Sequence, residues 1–279
     1  MIDTLSVIAA DIDGTLCMKG SDIMPLTREA LRKLHEQGVL FGTASGRPLD
    51  QRTLDKAKQW SLGFELDFAI GMNGGELYDS TTGKYERYYL LQPHTIRRIL
   101  DVLTPFDHNA IVYRNGYDEI YARRMDDFMR DSIRRNHSHV EIGDAEFLSR
   151  FPTGKIEVHI RPAIKKDVLA AVETIAGDDF HSVITFETED HTTLEFQDPH
   201  VNKGVALRKY AEKHAIPLSE VLAFGDMDND IGLLEAAGYG VCLSNGSEKM
   251  KAIADSITEY GVMQDGVGHW LKKYILHEE

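Results

Sequence analysis

The chain has 279 residues, a formal charge of −14 at pH 7 and two cysteines. So acidic a balance excludes a general nucleic-acid or anionic-membrane surface, which favours basic patches, and an anionic substrate would then need a metal ion or a local cationic pocket. Cys17 and Cys242 stand in no metal-ligand spacing, which excludes a disulfide framework and argues against zinc. With no basic-then-apolar leader and no apolar run of membrane-spanning length, the expectation is a cytoplasmic protein, monomeric or homodimeric, with no nucleic-acid and no membrane partner.

Val7 to Leu16 reads Val-Ile-Ala-Ala-Asp-Ile-Asp-Gly-Thr-Leu: an apolar run that predicts a buried strand, stopping at two carboxylates, Asp11 and Asp13, and Gly14. Open parallel sheets bind ligands at the carboxyl ends of their strands. Two acids this close repel unless a cation or a shared proton relieves the charge, and a hard divalent ion such as Mg2+ suits oxygen ligands. A bare Asp-x-Asp-Gly reads more readily as a solvated turn, a preference that the preceding buried strand and the motifs below reverse.

Leu26, Ala30, Leu31 and Leu34 at helical spacing predict a helix over 26–37, stopped by Gly38. A strand over 39–44 runs into Ser45-Gly46-Arg47-Pro48, with Pro48 suited to the first turn of a helix over 49–61. Ser and Gly ahead of a helix start make either an anion site or an ordinary Ser cap. A strand over 68–72, then Asn73-Gly74-Gly75 and 76–78, predicts a hairpin.

From about Tyr85 Arg, Tyr and His become frequent and the strand-then-helix alternation loosens, marking a second, α+β module. It holds a helix over 94–103, paired strands at 110–114 and 119–122, a helix over 165–175 and strands at 183–187 and 192–196. Between them 155–161 alternates, with Ile156, Val158 and Ile160 on one face and Glu157 and His159 on the other, predicting a half-exposed antiparallel strand. Its polar face reads as a lid over the acidic crevice or as a solvated surface. At Asn202-Lys203-Gly204 the alternation returns, with a helix over 205–214 and a strand over 221–224 entering Gly225-Asp226-Met227-Asp228-Asn229-Asp230. A helix over 231–237, a strand over 241–243 and helices over 247–254 and 267–276 follow. Strands alternating with helices imply a mostly parallel sheet covered on both faces. Strand ends share one edge of such a sheet, so Asp11, Asp13, Ser45 and Asp226 are expected to meet there, while Lys203 stands alone at a helix start.

Jointly, Asp-Ile-Asp-Gly-Thr-Leu at 11–16, Ala-Ser-Gly-Arg-Pro at 44–48, Asn-Lys-Gly at 202–204 and Gly-Asp-Met-Asp-Asn-Asp at 225–230 resemble the haloacid dehalogenase-like superfamily, more narrowly its Cof-type phosphatases. The order is the family's and the resemblance spans essentially the whole chain; Ser45 stands where Thr is commoner. It implies an α/β, Rossmann-like core built from 1–84 and 197–279, with an α+β cap domain inserted over 85–196. It implies that Asp11 is the nucleophile, forming an aspartyl-phosphate, and that Asp13 is the acid/base. Asp11, the backbone carbonyl of Asp13 and Asp226 would hold Mg2+. Ser45, the Gly46 amide and Asn229 would hold the phosphoryl oxygens, and Lys203 would offset charge on nucleophile and phosphate. Asp230 is expected to orient Lys203 or a metal-bound water. The roles of Arg47 and Asp228 stay open, as do those of Arg114, Arg123, Arg124, Glu157 and His159 in the cap.

The physics agrees. A carboxylate attacking a phosphoryl dianion meets like-charge repulsion that Mg2+ and Lys203 would relieve. There is no Gly-x-x-x-x-Gly-Lys-Ser/Thr sequence, which argues against a P-loop ATPase. The expected activity is Mg2+-dependent hydrolysis of small phosphorylated metabolites, sugar phosphates foremost and phosphorylated cofactors next. A phosphomutase and a catalytically silent phosphometabolite-binding regulator are the alternatives.

Overall fold

The computed structural model describes residues 4–278. In chain order the first elements are β1 (Val7–Asp11), α1 (Pro25–Glu36), β2 (Leu40–Ala44), α2 (Gln51–Leu54), α3 (Lys56–Gln59), β3 (Phe68–Gly71), β4 (Glu76–Asp79) and β5 (Lys84–Arg87). Next come α4 (Pro93–Leu103), β6 (His108–Asn115), β7 (Glu119–Ala122), α5 (Asp127–Asn136), β8 (His139–Ile142), α6 (Ala145–Leu148), β9 (Ile156–Ile160), α7 (Lys165–Glu173), β10 (His181–Glu187) and β11 (Thr192–Gln197). The chain closes with α8 (Lys203–Lys213), β12 (Val221–Gly225), α9 (Ile231–Ala236), β13 (Tyr239–Cys242), α10 (Glu248–Ile253), β14 (Ser256–Ile257) and α11 (Gly266–Leu271). Two compact units result: one runs through Glu86 and resumes at Asn202, the other is Arg87–Val201.

The first unit is an α/β layer structure around an eight-stranded sheet of order β14-β13-β12-β1-β2-β3-β4-β5. β14 to β3 run parallel and β4 turns back antiparallel on β3 as a hairpin. The five residues of β1 are all buried, as a strand covered on both faces must be. Ile8, Phe41, Trp60, Phe224 and Trp270 join the core against helices such as α1, which buries Thr27, Ala30, Leu31 and Leu34. Pro25 opens that helix where a missing N–H costs nothing. The cap comes from far away in sequence: Asp265 accepts from the backbone N–H of Leu26 at 2.7 Å and of Thr27 at 3.0 Å.

The expected helix over 49–61 is two short ones. The Leu49 N–H donates to the Glu76 carboxylate at 2.8 Å, holding that residue outside the helix, and Asp50 caps α2 from below by accepting from Thr53 N–H at 3.2 Å. Pro48 therefore precedes the helix altogether, and Ser45 and Gly46 lie in a loop and not against a helix start. An anion there would be met by loop amides and side chains, with no dipole of a long helix behind them.

The second unit is α+β, a six-stranded sheet of order β10-β11-β9-β6-β7-β8. Leu91, Ile96, Ile99, Val158, Leu194 and Phe196 are in its core. β9 lies between β11 and β6, antiparallel to both. It is not half-exposed as its alternation suggests: Lys155, Glu195 and His159 are buried beside it. Their charge is absorbed internally, Lys155 Nζ reaching Glu157 at 2.9 Å and Glu195 at 2.8 Å, with the Tyr113 hydroxyl donating to Glu157 at 2.6 Å. Among the described residues no helix is long and apolar enough to cross a membrane.

Candidate active site

From β1 the chain moves to β2 on one side, and after the insertion it returns to β12 on the other. β1 and β12 therefore flank the point where the winding reverses, and open sheets leave a crevice there at the carboxyl ends of the strands. Register fixes what enters it. Asp11 pairs with Ala44, one residue before Ser45, and Ala10 with Phe224, two before Asp226.

Gly14 lets the acids approach. Its φ is +95°, and a Cβ built on it would lie 2.3 Å from Asp226 Oδ2, so neither the backbone conformation nor the space admits a side chain. Thr15 follows and donates its hydroxyl to Asp226 Oδ1 at 2.8 Å. The Asn245 side-chain amide donates to the Gly14 carbonyl at 2.9 Å, tying down the same turn.

Lys203 enters at the start of α8, whose Asn202 cap accepts from Val205 N–H at 3.0 Å. Its ammonium is wholly buried and donates to Asp11 Oδ1 at 2.6 Å and to Asp230 Oδ1. The other Asp230 oxygen accepts from the amides of Asp226 at 3.0 Å and Met227 at 3.1 Å. Asp230 thus fixes both the lysine and the loop carrying Asp226. Asp11, Asp226 and Asp230 each offer a carboxylate oxygen, all within 4.8 Å of one another.

Three buried carboxylates share one buried ammonium, and the charge does not balance. Burial pushes the Asp11 carboxyl up to about 8, with Asp230 and Asp226 adding to it and Lys203 opposing. Burial likewise pushes Asp226 up to about 6, against the hydrogen bond from Thr15. Burial alone would lower Lys203, but Asp11 and Asp230 outweigh it and hold the ammonium above the ordinary lysine range. Buried acids short of positive charge and lined with oxygen are what a divalent cation such as Mg2+ fits.

Asp13 does not point into this triad. Arg47 forks onto it, Nε to Oδ2 at 2.9 Å and Nη2 to Oδ1 at 2.7 Å. Ser45 is buried, its hydroxyl accepting from the Arg47 N–H at 3.2 Å. Asn229, at the exposed end of the Asp226 loop, donates its side-chain amide to Asn73 Oδ1 at 3.2 Å. Asp228 turns away to Ser247 at 2.6 Å and Lys249 at 2.9 Å, near the surface.

Of the expected set, Asp11, Lys203 and Asp226 are gathered with Asp230. Asp13 is joined to them through the shared turn, Ser45 through strand register, and Asn229 through the Asp226 loop. Thr15 and Asn73 escaped sequence reasoning. Thr15 sits inside the Asp-x-Asp-Gly-Thr stretch, where adjacency to Gly14 was the available signal; Asn73 read as a hairpin residue only. The residues left open in the second unit are engaged with neighbours inside it. Arg114 stacks on Phe151 at 3.9 Å, Arg123 contacts His108, Arg124 pairs with Asp107, and His159 packs edge-on to Phe128 at 4.1 Å.

A family model described as haloacid dehalogenase-like hydrolase matches residues 8–271. A 5-amino-6-(5-phospho-D-ribitylamino)uracil phosphatase of Bacillus subtilis is 26% identical over 277 residues, covering 96% of this chain and 97% of the relative. Among solved structures, a Thermotoga maritima protein superposes with a TM-score of 0.83 at 24% identity, covering 97% of both chains. A sugar phosphatase of superfamily subclass IIB superposes with a TM-score of 0.76 at 21% identity, covering 96% of this chain and 98% of that one.

Proposed function

The chain belongs to the haloacid dehalogenase-like hydrolases and is a phosphatase, and from that premise we propose that it hydrolyses small phosphorylated sugars and polyols in a Mg2+-dependent reaction through phosphorylated Asp11. The observation that carries the reading is the wholly buried Lys203 held between Asp11 and Asp230, beside a third acid, Asp226, that forms no ion pair among the described residues. The relative's name, a ribitylamino phosphate phosphatase, and the subclass IIB sugar phosphatase both support a polyhydroxylated leaving group.

Asp11, the backbone carbonyl of Asp13 and Asp226 would hold the metal; Asp230 is already committed to Lys203 and two backbone amides. When bound, Mg2+ offsets the charge of the phosphoryl oxygens and of the attacking carboxylate. The protein's own residues do the rest. Lys203 favours the ionised form of Asp11 against its burial and aims it, and relieving that burial fully falls to the added positive charge that the like-charge encounter with a phosphate requires. Asp11 displaces the leaving alcohol at phosphorus, forming an acyl phosphate, while Asp13 gives that oxygen its proton. Asp13, now a carboxylate, takes a proton from the water that frees inorganic phosphate and restores Asp11. Ser45, the Gly46 amide and Asn229 hold the phosphoryl oxygens, and the choice of leaving group is assigned to the inserted unit.

Hydrolysis of p-nitrophenyl phosphate and of a panel of sugar and polyol phosphates, with Mg2+ and with chelator, tests this. Release of inorganic phosphate that requires Mg2+ is expected, with polyhydroxylated esters preferred. An isomerised ester in place of free phosphate, or turnover undiminished by chelator, would overturn it.

A further inference from the structure

The loop between β3 and β4 is more strained than a hairpin needs. Met72, Asn73 and Gly74 have φ of +49°, +55° and +106°, three consecutive residues in the left-handed region, two of which carry side chains. For Met72 and Asn73 such conformations are strained and persist where surrounding structure enforces them. The surroundings here are the segments of the phosphoryl site. Met72 N–H donates to the Arg47 carbonyl at 2.8 Å and Asn73 N–H to the Ser45 carbonyl at 3.1 Å. A Cβ on Gly74 would lie 2.0 Å from the Asn202 carbonyl oxygen, so the loop is backed onto the start of α8, where Lys203 begins.

The Asn73 carboxamide spans the remaining gap. Its Oδ1 accepts from Asn229, and the same oxygen lies 2.9 Å from where a Cβ on Gly46 would stand. One side chain therefore lies over Gly46 while holding Asn229, joining the two segments assigned above to the phosphoryl oxygens.

We infer that Asn73 is a positioning residue of the phosphoryl site, which fixes the Asn229 side chain over the Ser45-Gly46 loop before phosphate arrives. The inference rests on the phosphatase reading. A plain turn role is a distinct possibility with a distinct consequence, because glycine adopts the left-handed region at least as readily as asparagine. If only the turn matters, Asn73→Gly is neutral or stabilising.

The test compares wild type, Asn73→Gly, Asn229→Ala and the double variant, all with Mg2+, by p-nitrophenyl phosphate kinetics and by the rise in Tm that inorganic phosphate produces. Losing one preset hydrogen bond is expected to raise KM and weaken phosphate binding roughly 3- to 10-fold. Phosphate should also raise Tm less in Asn73→Gly, with its Tm in the absence of phosphate unchanged or higher. Asn229→Ala should lose at least as much, since it also removes the group that meets phosphate, and the double variant should add little to Asn229→Ala, because Asn73 acts through Asn229. Wild-type KM and phosphate response in Asn73→Gly, or fully additive effects, would overturn the inference while leaving the phosphatase reading intact. A wild type with neither hydrolysis nor any phosphate response would overturn that reading, and this one with it.

Discussion

At the scale of single residues, the informative contact is the fork of Arg47 on Asp13. A guanidinium with two parallel bonds to one carboxylate fixes its position and its plane, which an ammonium cannot do. We expect Arg47→Ala to lower kcat on the order of 10- to 100-fold with KM little changed, a fraction of what a general acid contributes. Arg47→Lys should recover only part of the loss. A kcat equal to wild type in Arg47→Ala would contradict the positioning role. The meeting of Asp11 with Asp226 was legible because strand ends share one edge of a parallel sheet, whereas Lys203 joined them only through the resemblance. The partner of Arg47 was not legible, because whether a cation meets a phosphate, a carboxylate or solvent is set by distances that a separation of 34 positions does not encode. Asp230 is a mixed case: its contact with Lys203 was one of two roles the resemblance implied, while its bonds to the two amides were not legible.

At the scale of elements, most strands and long helices followed from apolar periodicity, but β5, α5, β8 and β14 went unread, and other errors fell where a tertiary contact overrode the pattern. The helix over 49–61 was read as continuous because no proline or glycine interrupts it after Pro48; Asp50 and Glu76, through their bonds to Thr53 and Leu49, delay its start. β9 alternates as an exposed strand should, yet its polar face is buried because Lys155 meets Glu157 two residues along and Glu195 on the neighbouring β11. The cap of α1 is a third case. Met24 provides no side-chain bond at that helix start, and the donors of Leu26 and Thr27 are satisfied from Asp265. Removing a cap of this kind costs about 1–2 kcal/mol. Asp265→Ala should therefore lower the unfolding free energy by that much, seen in urea unfolding as a lower midpoint at an unchanged slope. An unchanged midpoint would show that the contact holds nothing together.

At the scale of the whole molecule, the convergence of distant segments is a consequence of topology. A parallel sheet wound outward from β1 in one direction and then, from β12, in the other must bring the ends of those two strands to a single crevice, and the chain places Asp11 at one and Asp226 at the other. That much could be argued from alternating strands and helices before any coordinates. The six-stranded arrangement of the inserted unit could not, since antiparallel pairing order is set by contacts between strands as far apart as β6 and β9. The central claim is that this crevice makes Asp11 a nucleophile toward phosphorus. The most direct measurement uses the Asp13→Asn variant, in which hydrolysis of the phosphoenzyme should be slow. It is mixed with Mg2+ and p-nitrophenyl phosphate, quenched in acid, reduced with borohydride and mapped by peptide mass spectrometry. Reduction of an acyl phosphate should leave homoserine at position 11, only when Mg2+ and ester are both present. Homoserine at another acidic position, or none at 11 while a full equivalent of nitrophenol is released, would contradict the account.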